Sequence, residues 1–156
     1  MVWLRTLIFT VLVPATVTVY APWWLLSRFP APGPAGWRWL ALVPIAIGVA
    51  IYLRCALDFG RARGTPAPID PPKELVATGL YRFTRNPIYV GVASIVWGEA
   101  LLFGSLALAT FAAAVCLAFH SFVTLYEEPS LRRRFGESYQ RYCAAVPRWL
   151  PRLPRP

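Results

Sequence analysis

Residues 87–126 read PIYVGVASIVWGEALLFGSLALATFAAAVCLAFHSFVTLY, which is two apolar segments divided by Gly104-Ser105. A helix needs about 20 apolar residues to cross the roughly 30 Å apolar core of a bilayer, and each segment approaches that length. A connection this short joins two helices only as an antiparallel hairpin. The stretch therefore predicts two transmembrane helices, at 87–103 and 105–126, whose outer ends lie on the same side of a membrane.

The rest of the chain also indicates a membrane protein. Of its 156 residues, 57% are hydrophobic and 15% are charged, whereas about 25% of the residues in soluble domains are charged. Two further apolar segments, 2–26 and 37–57, precede the hairpin and are separated by a turn rich in proline and glycine. The sequence predicts an all-α integral membrane protein, a single membrane domain over 1–156 with four transmembrane helices. Its length leaves no room for a large catalytic domain, so any chemistry must use the helices and their connections.

Basic residues decide the predicted orientation. The formal net charge is +9, and most arginines and lysines lie in the 58–86 loop and the 127–156 tail. Because basic loops stay in the cytoplasm, this loop, the tail and both termini are predicted to be cytoplasmic, in a bacterial inner membrane or an equivalent membrane. Anionic lipid explains the charge better than nucleic acid, since the basic residues flank the spans.

Cysteine and histidine are too sparse to indicate a metal centre. The chain has Cys55, Cys116 and Cys143 with a single histidine, His120, and neither C-x-x-C nor H-x-x-x-H spacing occurs. Structural zinc sites and disulfide frameworks need more numerous ligands at closer spacing. We expect no metal and no disulfide, and we expect the thiols to be buried or to face lipid.

The loop before the hairpin ends in a segment suited to an anion. It reads GLYRFTRNPIYVG over 79–91 and runs directly into the third predicted span. Pro87 fits the first turn of a helix and Asn86 fits the N-cap position. Unsatisfied N–H groups and the positive end of the helix dipole, together with Arg82 and Arg85, suit a carboxylate or a phosphate. The alternative is that both arginines contact lipid headgroups.

A polar stripe lies where the fourth predicted span leaves the membrane. His120, Thr124, Glu127 and Glu128 follow helical spacing. The two carboxylates face a basic neighbourhood and are able to hold an ammonium group or ribose hydroxyls, while the arginines take a carboxylate. This combination of acidic and basic groups suits a cofactor that bears an amino acid, which carries both an ammonium group and a carboxylate. Alternatively, the glutamates are solvated cap residues and the histidine is a satisfied core residue.

The third predicted span contains a ridge of small residues and one acid. Gly91, Ser94 and Gly98 are spaced so that a neighbouring helix can approach closely. Glu99 is an ionisable group inside a span, which is costly and often functional. It lies near the far end of that helix, and we favour a structural hydrogen bond, such as one to another span.

The tail is predicted to form an amphipathic helix over 129–143, followed by an extended segment. One side of this helix carries Leu131, Phe135, Tyr139 and Tyr142. Charged residues lie largely on the other sides. Such a helix lies in the membrane interface and can cover a cavity. The prolines and the tryptophan of 146–151 are typical of an anchored extended segment.

Three motifs in the second half of the chain carry a family resemblance. They are G-L-Y-R-x-x-R-N-P-x-Y-x-G, E-E-P-x-L-x-x-x-F-G-x-x-Y-x-x-Y and V-P-R-x-L-P, in this order over about residues 75–151. The chain resembles the isoprenylcysteine carboxyl methyltransferase family, and phospholipid N-methyltransferases share much of the pattern. The resemblance implies a membrane-embedded methyltransferase that binds S-adenosylmethionine at the cytoplasmic ends of the last two spans and the tail.

The resemblance also implies roles for individual residues. The implied cofactor-binding residues are Tyr81, Arg85, Asn86, Pro87, Tyr89, Gly91, His120, Glu127 and Glu128. The catalytic candidates are Arg148 and Arg82, which would orient a substrate, and His120. One position departs from the pattern, because the family commonly has histidine where this chain has Asn86. Asparagine can hydrogen-bond but cannot act as a base near pH 7.

The chemistry of the methyl acceptor decides which of these residues is needed. A carboxylate, such as a prenylcysteine-type group, is already ionised and needs only Arg148 or Arg82 to orient it. A thiol or an amine needs deprotonation, for which His120 is the ordinary candidate near pH 7. The expected substrate is a lipophilic small molecule or a lipid. Two other functions stay open: a nicotinamide-dependent membrane reductase of an isoprenoid or steroid-like substrate, and a non-catalytic membrane scaffold.

Overall fold

The computed structural model describes residues 13–61, 75 and 77–152, and every regular element in that part of the chain is helical. The α-helices are α1 (Ala21–Arg28), α2 (Leu42–Arg61), α3 (Pro87–Phe103), α4 (Leu106–Phe122) and α5 (Glu128–Ala145). Shorter turns are π-helical at Thr16–Tyr20 and Val123–Glu127, and 3-10 helical at Gly36–Ala41 and Gly79–Arg82. The predicted all-α class is confirmed for the described residues.

Within the described residues, two helical segments are long and apolar enough to cross a membrane. They are Gly36–Asp58 and Leu106–Ala145. Helix α3 is a shorter apolar helix of 17 residues, which makes it about 26 Å long. Residues 2–12 of the first predicted span and most of the predicted 58–86 loop lie outside the described residues. The count of four spans therefore stays a prediction.

The predicted hairpin of α3 and α4 is present, and its turn explains why the connection is so short. Gly104 takes a left-handed backbone conformation, with φ 60° and ψ 36°, which ends α3 at Phe103. Ser105 then caps α4, because its side chain accepts a hydrogen bond from the Leu108 amide at 3.3 Å. A stop signal and a start signal in adjacent residues fold the chain back on itself.

The segment before α2 packs against this turn. The Gly33 amide donates to the Phe103 carbonyl at 3.1 Å, and Arg38 Nη1 donates to the Gly33 carbonyl at 3.1 Å. The Arg38 guanidinium lies against Gly104, where a Cβ atom would come within 2.7 Å of Cζ. The segment before α2 and the turn between α3 and α4 therefore contact each other. Both are predicted to lie on the membrane side opposite the basic loop.

Glycines bring α2 and α3 into close contact. A Cβ atom on Gly48 would lie 2.5 Å from the Gly91 carbonyl oxygen, and a Cβ atom on Gly98 would come equally close to α2. Ser94 Oγ donates to the Pro44 carbonyl across the same contact at 2.8 Å. The helices approach this closely only because no side chains separate their backbones. The predicted role of the small-residue ridge in helix packing agrees with this contact.

Replacing Gly48 with alanine is expected to lower the free energy of unfolding by about 1–3 kcal/mol, because the new Cβ atom must displace the Gly91 backbone. Thermal unfolding of the purified chain in detergent, followed by circular dichroism, measures the effect. Ala50→Val enlarges an exposed residue two positions further on and should leave the unfolding temperature unchanged. A Gly48→Ala protein as stable as the parent would contradict the close contact.

One helical path links α4 to α5 through the π-helical turn at Val123–Glu127. Pro129 explains the wide turn, because a proline removes one amide donor and its ring crowds the carbonyl four residues earlier. The Glu128 amide bonds the Val123 carbonyl five residues earlier, as in a π turn. Val123 and Glu128 are 1% and 5% exposed. The predicted boundary between the fourth span and the tail helix is thus a widened turn in a continuous helix.

Helix α5 bends sharply at Gly136. Its backbone angles, φ 51° and ψ −125°, lie outside the helical region and suit only glycine. The part before Gly136 and the part after it therefore run in different directions. The second part carries Tyr139, which is 3% exposed. The helix predicted over 129–143 is accordingly bent rather than regular.

Glu99 lies in α3, twelve residues beyond Pro87 and therefore about 18 Å along the helix. Its Oε2 atom is buried and has no hydrogen-bond partner among the described residues. The structural hydrogen bond that we expected is not formed by this atom in the described part of the chain. Glu99 also lies outside the polar cluster described below.

Candidate functional site

The residues that lead into α3 pair with the C-terminal segment. The Arg85 amide donates to the Pro147 carbonyl at 2.9 Å, and the Arg152 amide donates to the Phe83 carbonyl at 3.0 Å. Both are main-chain bonds, so they hold an extended tail beside the loop. The tail thereby reaches the N-terminal end of α3, as the predicted anchored segment requires.

Two buried polar side chains reinforce this pairing. Thr84 Oγ1 lies 3.0 Å from the Arg148 carbonyl oxygen and 3.1 Å from the Trp149 carbonyl oxygen, and Asn86 Nδ2 donates to the Arg148 carbonyl at 3.0 Å. Asn86 holds the predicted N-cap position of α3, but its side chain makes no capping bond. The side chain fixes the tail instead, and the first turn of α3 has no side-chain cap.

Glu128 lies at the centre of a polar cluster. It accepts hydrogen bonds from Arg148 Nε at 2.7 Å and Nη2 at 3.0 Å, and its Oε1 lies 3.1 Å from Arg85 Nη1. The Arg85 and Glu128 side chains are only 11% and 7% exposed. We call Arg85, Glu128 and Arg148 the clamp. It joins the start of α5, the residues before α3 and the tail.

The charges of the clamp shift the pKa values of its members. Burial alone would raise the pKa of Glu128, but the hydrogen bonds from Arg148 and the charges of Arg85 and Arg148 outweigh burial and hold this pKa below its ordinary value. The hydrogen bonds to Glu128 raise the pKa of Arg148. The carboxylate is therefore ionised at neutral pH, and the two guanidinium groups more than neutralise it.

Glu127 has different surroundings from its neighbour. Its Oε2 accepts a hydrogen bond from the Tyr89 hydroxyl at 2.9 Å, and its Oε1 forms none with the described residues. Burial raises the pKa of Glu127, the Tyr89 hydrogen bond partly lowers it, and the charge of Glu128 raises it again, so that it lies above the ordinary 4.5. Glu127 thus keeps one carboxylate oxygen available to a ligand, whereas both oxygens of Glu128 are engaged.

An apolar cavity of about 480 Å³ lies beside Tyr89, between α3 and α4. It is lined by Tyr89, Val90, Ala93, Ser94 and Trp97 of α3, Cys116, Phe119 and His120 of α4, and Trp149, Leu150 and Pro151 of the tail. The Tyr89 and Phe119 rings pack with their centroids 4.8 Å apart. Because the Tyr89 hydroxyl bonds to Glu127, the cavity adjoins the polar cluster.

His120 is exposed and lines the cavity beside Trp149. Trp149 Nε1 donates a hydrogen bond to His120 Nδ1 at 3.3 Å. A ring nitrogen that accepts a hydrogen bond carries no proton, so the neutral imidazole holds its proton on Nε2.

Comparison with known proteins shows which family this chain belongs to. A family model described as phospholipid methyltransferase matches residues 37–138, about two thirds of the chain. The chain belongs to the phospholipid methyltransferase family. The matched residues include the hairpin, Arg85, both glutamates and most of α5, whereas Arg148 and the tail side of the cavity lie outside the match.

Two methyltransferases are similar to this family member in sequence. It is 34% identical over 80 residues to protein-S-isoprenylcysteine O-methyltransferase of Schizosaccharomyces pombe, a match that covers 51% of this chain and 34% of that protein. It is 30% identical over 139 residues to phosphatidylethanolamine N-methyltransferase of Sordaria macrospora, with 84% and 14% covered. The chain therefore spans a minor part of each relative. No solved structure matches it.

These comparisons confirm the resemblance to isoprenylcysteine and phospholipid methyltransferases. The chain is thus a member of a methyltransferase family, and its described residues include two helical segments that are long and apolar enough to cross a membrane. No group of histidine, cysteine or acidic residues that could hold a metal ion is found in the described part of the chain.

The structure brings most of the predicted site residues together. The polar cluster or the cavity contains Arg85, Asn86, Tyr89, His120, Glu127, Glu128 and Arg148. Pro87 begins α3, and Tyr81 is buried, with its carbonyl accepting a bond from the Tyr142 hydroxyl at 2.7 Å. Gly91 lies at the contact with α2, and Arg82 is exposed. The cofactor-binding and catalytic roles of all these residues stay predictions.

The contacts of three residues in this region have no signal in the sequence. Thr84 fixes two tail carbonyls, Cys143 Sγ accepts a hydrogen bond from Arg85 Nη1 at 2.8 Å, and Trp149 bonds His120 as well as anchoring the tail. Arg85 and Cys143 are 58 residues apart in sequence. No local spacing signals a contact over such a separation.

Proposed function

We propose that this chain is an integral membrane methyltransferase that uses S-adenosylmethionine to methylate a lipophilic acceptor, preferably a carboxylate such as a prenylcysteine-type group. The observation that carries the proposal is the junction at Tyr89, whose hydroxyl bonds Glu127 and whose ring lines the apolar cavity. A charged cofactor and an apolar acceptor need adjoining polar and apolar spaces. Family membership favours methyl transfer over nicotinamide-dependent reduction.

In the proposed arrangement the four predicted spans form one membrane domain, with both termini and the 58–86 loop on the cytoplasmic side. The basic residues of the loop and the tail support this orientation. Trp37 and Trp39, at the other end of α2, are 69% and 54% exposed, as is typical of tryptophans at a membrane interface. The clamp and the mouth of the cavity then lie at the inner leaflet, where a lipid substrate and a soluble cofactor can meet.

The residues of the cluster fit the chemistry of S-adenosylmethionine. An α-amino group and ribose hydroxyls need acceptors, and Glu127 has the available Oε1. A carboxylate needs N–H donors, which the uncapped first turn of α3 and Arg85 supply; Arg85 Nε is buried without a hydrogen-bond partner among the described residues. When bound, this cofactor supplies an electrophilic methyl group, whose bond to sulfur breaks as an acceptor lone pair attacks, the electron pair staying on sulfur.

The chain contributes mainly by positioning the reactants. Glu127 and the first turn of α3 hold the cofactor, and the cavity holds the apolar part of the acceptor. Arg148 Nη1, which Glu128 does not engage, orients a carboxylate acceptor. A carboxylate is ionised at neutral pH, so this reaction needs alignment rather than a base. Trp149 and Leu150 border the cavity on the tail side and help to exclude water.

Ligand titration tests the proposal. The purified full chain in detergent is titrated with S-adenosylmethionine and, separately, with NADPH, using isothermal titration calorimetry. Binding of the first supports the proposal, binding of only the second would make the protein a reductase, and binding of neither would make it a scaffold. Incubation with methyl-labelled cofactor and a native lipid extract, followed by mass spectrometry, then identifies the acceptor; a base-labile label indicates a methyl ester.

Replacing His120 with alanine is expected to leave carboxyl methylation mostly intact. General acid–base catalysis typically contributes about 10²–10⁴-fold, and an ionised carboxylate does not need it. Initial rates of methyl transfer, compared with those of Trp149→Phe, measure the effect, because that control removes the hydrogen bond to His120 and keeps an aromatic ring. Complete loss of activity in His120→Ala with intact cofactor binding would instead indicate a thiol or an amine acceptor.

A further inference from the structure

The cavity lining extends along α3 from a polar end at Tyr89 to a far end at Trp97. Tyr89, Ala93 and Trp97 are spaced four residues apart and line the same side of the cavity. Tyr89 touches the polar cluster through Glu127. Trp97 lies eight residues further on, which is about 12 Å along the helix axis. The cavity therefore continues along α3 beyond the point where the polar groups end.

Small side chains open this path and Trp97 narrows it. Ala93 and Ser94 form one wall, and Cys116 and Phe119 of α4 face them. Helical side chains lean towards the N-terminus of their helix, so the Trp97 indole leans back towards Ala93 rather than away from the cavity. A residue of this size on one wall of an apolar path limits what can extend past it.

We propose that Trp97 borders the far end of the cavity and sets the longest apolar chain that an acceptor can insert. This inference rests on the proposed function. The occupant is the hydrocarbon chain of a membrane lipid, because the walls are apolar and the space is continuous with the polar cluster through Tyr89 and His120. A chain that ends before Trp97 is fully accommodated, and a longer chain must bend or stay partly outside.

Photolabelling tests the chain-length limit without relying on turnover. The full chain, in a rigid steroid detergent that brings no alkyl chains of its own, is irradiated with straight-chain alcohols of increasing length that carry a terminal diazirine. For the parent protein we expect saturable labelling up to a limiting length, with the label on Ala93, Trp97 or Cys116. Length-independent labelling, or labels found only on exposed residues elsewhere, would overturn the proposal.

Variants test whether Trp97 sets the limiting chain length of the probes. In Trp97→Ala the first probes beyond the parent limit should label about tenfold more efficiently, because two further methylene groups become buried. Trp37→Ala removes an exposed tryptophan outside the cavity and should keep the parent limit. An unchanged limit in Trp97→Ala would refute the role of this residue. Because Trp97 is partly exposed, we expect the fold to tolerate its loss; Trp97→Phe gives a smaller shift in the same direction.

A second variant and a separate measurement keep the two proposals distinguishable. Ala93→Leu fills the path above Trp97 and should suppress labelling by all but the shortest probes. S-adenosylmethionine affinity, measured on the same preparations, should stay unchanged in every variant. If the parent binds no S-adenosylmethionine, the proposed function fails; if it binds the cofactor and the length limit ignores Trp97 and Ala93, only the present inference fails.

Discussion

Replacing Glu128 with glutamine is expected to lower the free energy of unfolding by about 3–5 kcal/mol, the range for breaking a buried ion pair by removing one partner. The side chain is 7% exposed and binds two guanidinium groups. Glutamine has a similar shape but no charge, so Arg85 and Arg148 would face each other without compensation. The largest loss should be in the docking of the tail, because Arg148 lies in it.

Thermal unfolding in detergent and limited proteolysis of the tail measure this effect together. Glu137→Gln is the matched control, since Glu137 is an exposed glutamate of the same helix and should leave both readouts unchanged. Double replacement of Arg85 and Glu128 tests the mechanism further, because it should be less harmful than the sum of the single changes. A Glu128→Gln protein with normal stability and a protected tail would show that the clamp contributes little.

Acid should reproduce the effect of the glutamine substitution. The pKa of Glu128 is lower in the folded protein than its ordinary value of 4.5. A depressed pKa means that the clamp stabilises the fold fully above pH 4.5 and loses this contribution as the pH falls through the lower, folded-state value. The stability difference between the parent and Glu128→Gln should therefore shrink on acidification. A difference that stayed constant down to strongly acidic pH would contradict this assignment.

Replacing the adjacent Glu127 with glutamine is expected to have the second large effect, on ligand binding rather than on folding. A hydrogen bond to a charged group contributes about 1.5–3 kcal/mol, so S-adenosylmethionine affinity should fall about 10- to 150-fold. Stability should stay close to that of the parent, because burial of this carboxylate opposes its charged form and no arginine of the described residues bonds to it. Calorimetric titration and thermal unfolding on the same sample separate the two outcomes.

The pH dependence of binding gives an independent check on Glu127. Its pKa lies above the ordinary 4.5, so the carboxylate that accepts from an ammonium group is lost earlier on acidification than an exposed carboxylate would be. Cofactor affinity should therefore weaken as the pH falls through that raised value, and Glu127→Gln should flatten the profile. Tyr89→Phe removes the hydroxyl partner and should weaken binding less than Glu127→Gln. Unchanged affinity in Glu127→Gln would remove this residue from the site.

Local signals were sufficient to predict the helical framework. Gly104 and Ser105 are adjacent stop and start signals, and together with the apolar segments around them they predict the hairpin. The spacing of Gly91, Ser94 and Gly98 predicts close packing, and the partner turned out to be α2. Pro87 and Asn86 also hold their predicted positions at the start of α3. Each of these features depends on residues that are neighbours in sequence.

The different roles of the residues within the site could not be predicted from local sequence signals. Glu127 and Glu128 look equivalent in sequence, and only the π turn before Pro129 and the distant Arg148 make one a structural ion and the other a candidate ligand. Gly136 lies in a segment with helical periodicity, so the pattern does not indicate a bend there. The bend depends on contact between the second part of α5 and the loop that precedes α3. Thr84 gives no sequence signal, because its partners are carbonyl groups of the tail 64 and 65 residues away.

The clamp has a consequence for how the protein matures. Arg148 follows Glu128 by 20 residues and is synthesised after it, so the hairpin exists before its polar end can be completed. During that interval Glu128 lacks its hydrogen bonds from Arg148, and the side of the cavity later bordered by Trp149 stands open. A nascent or truncated chain that stops short of Arg148 should therefore insert normally, yet be incompetent for binding and easily recognised by quality-control proteases.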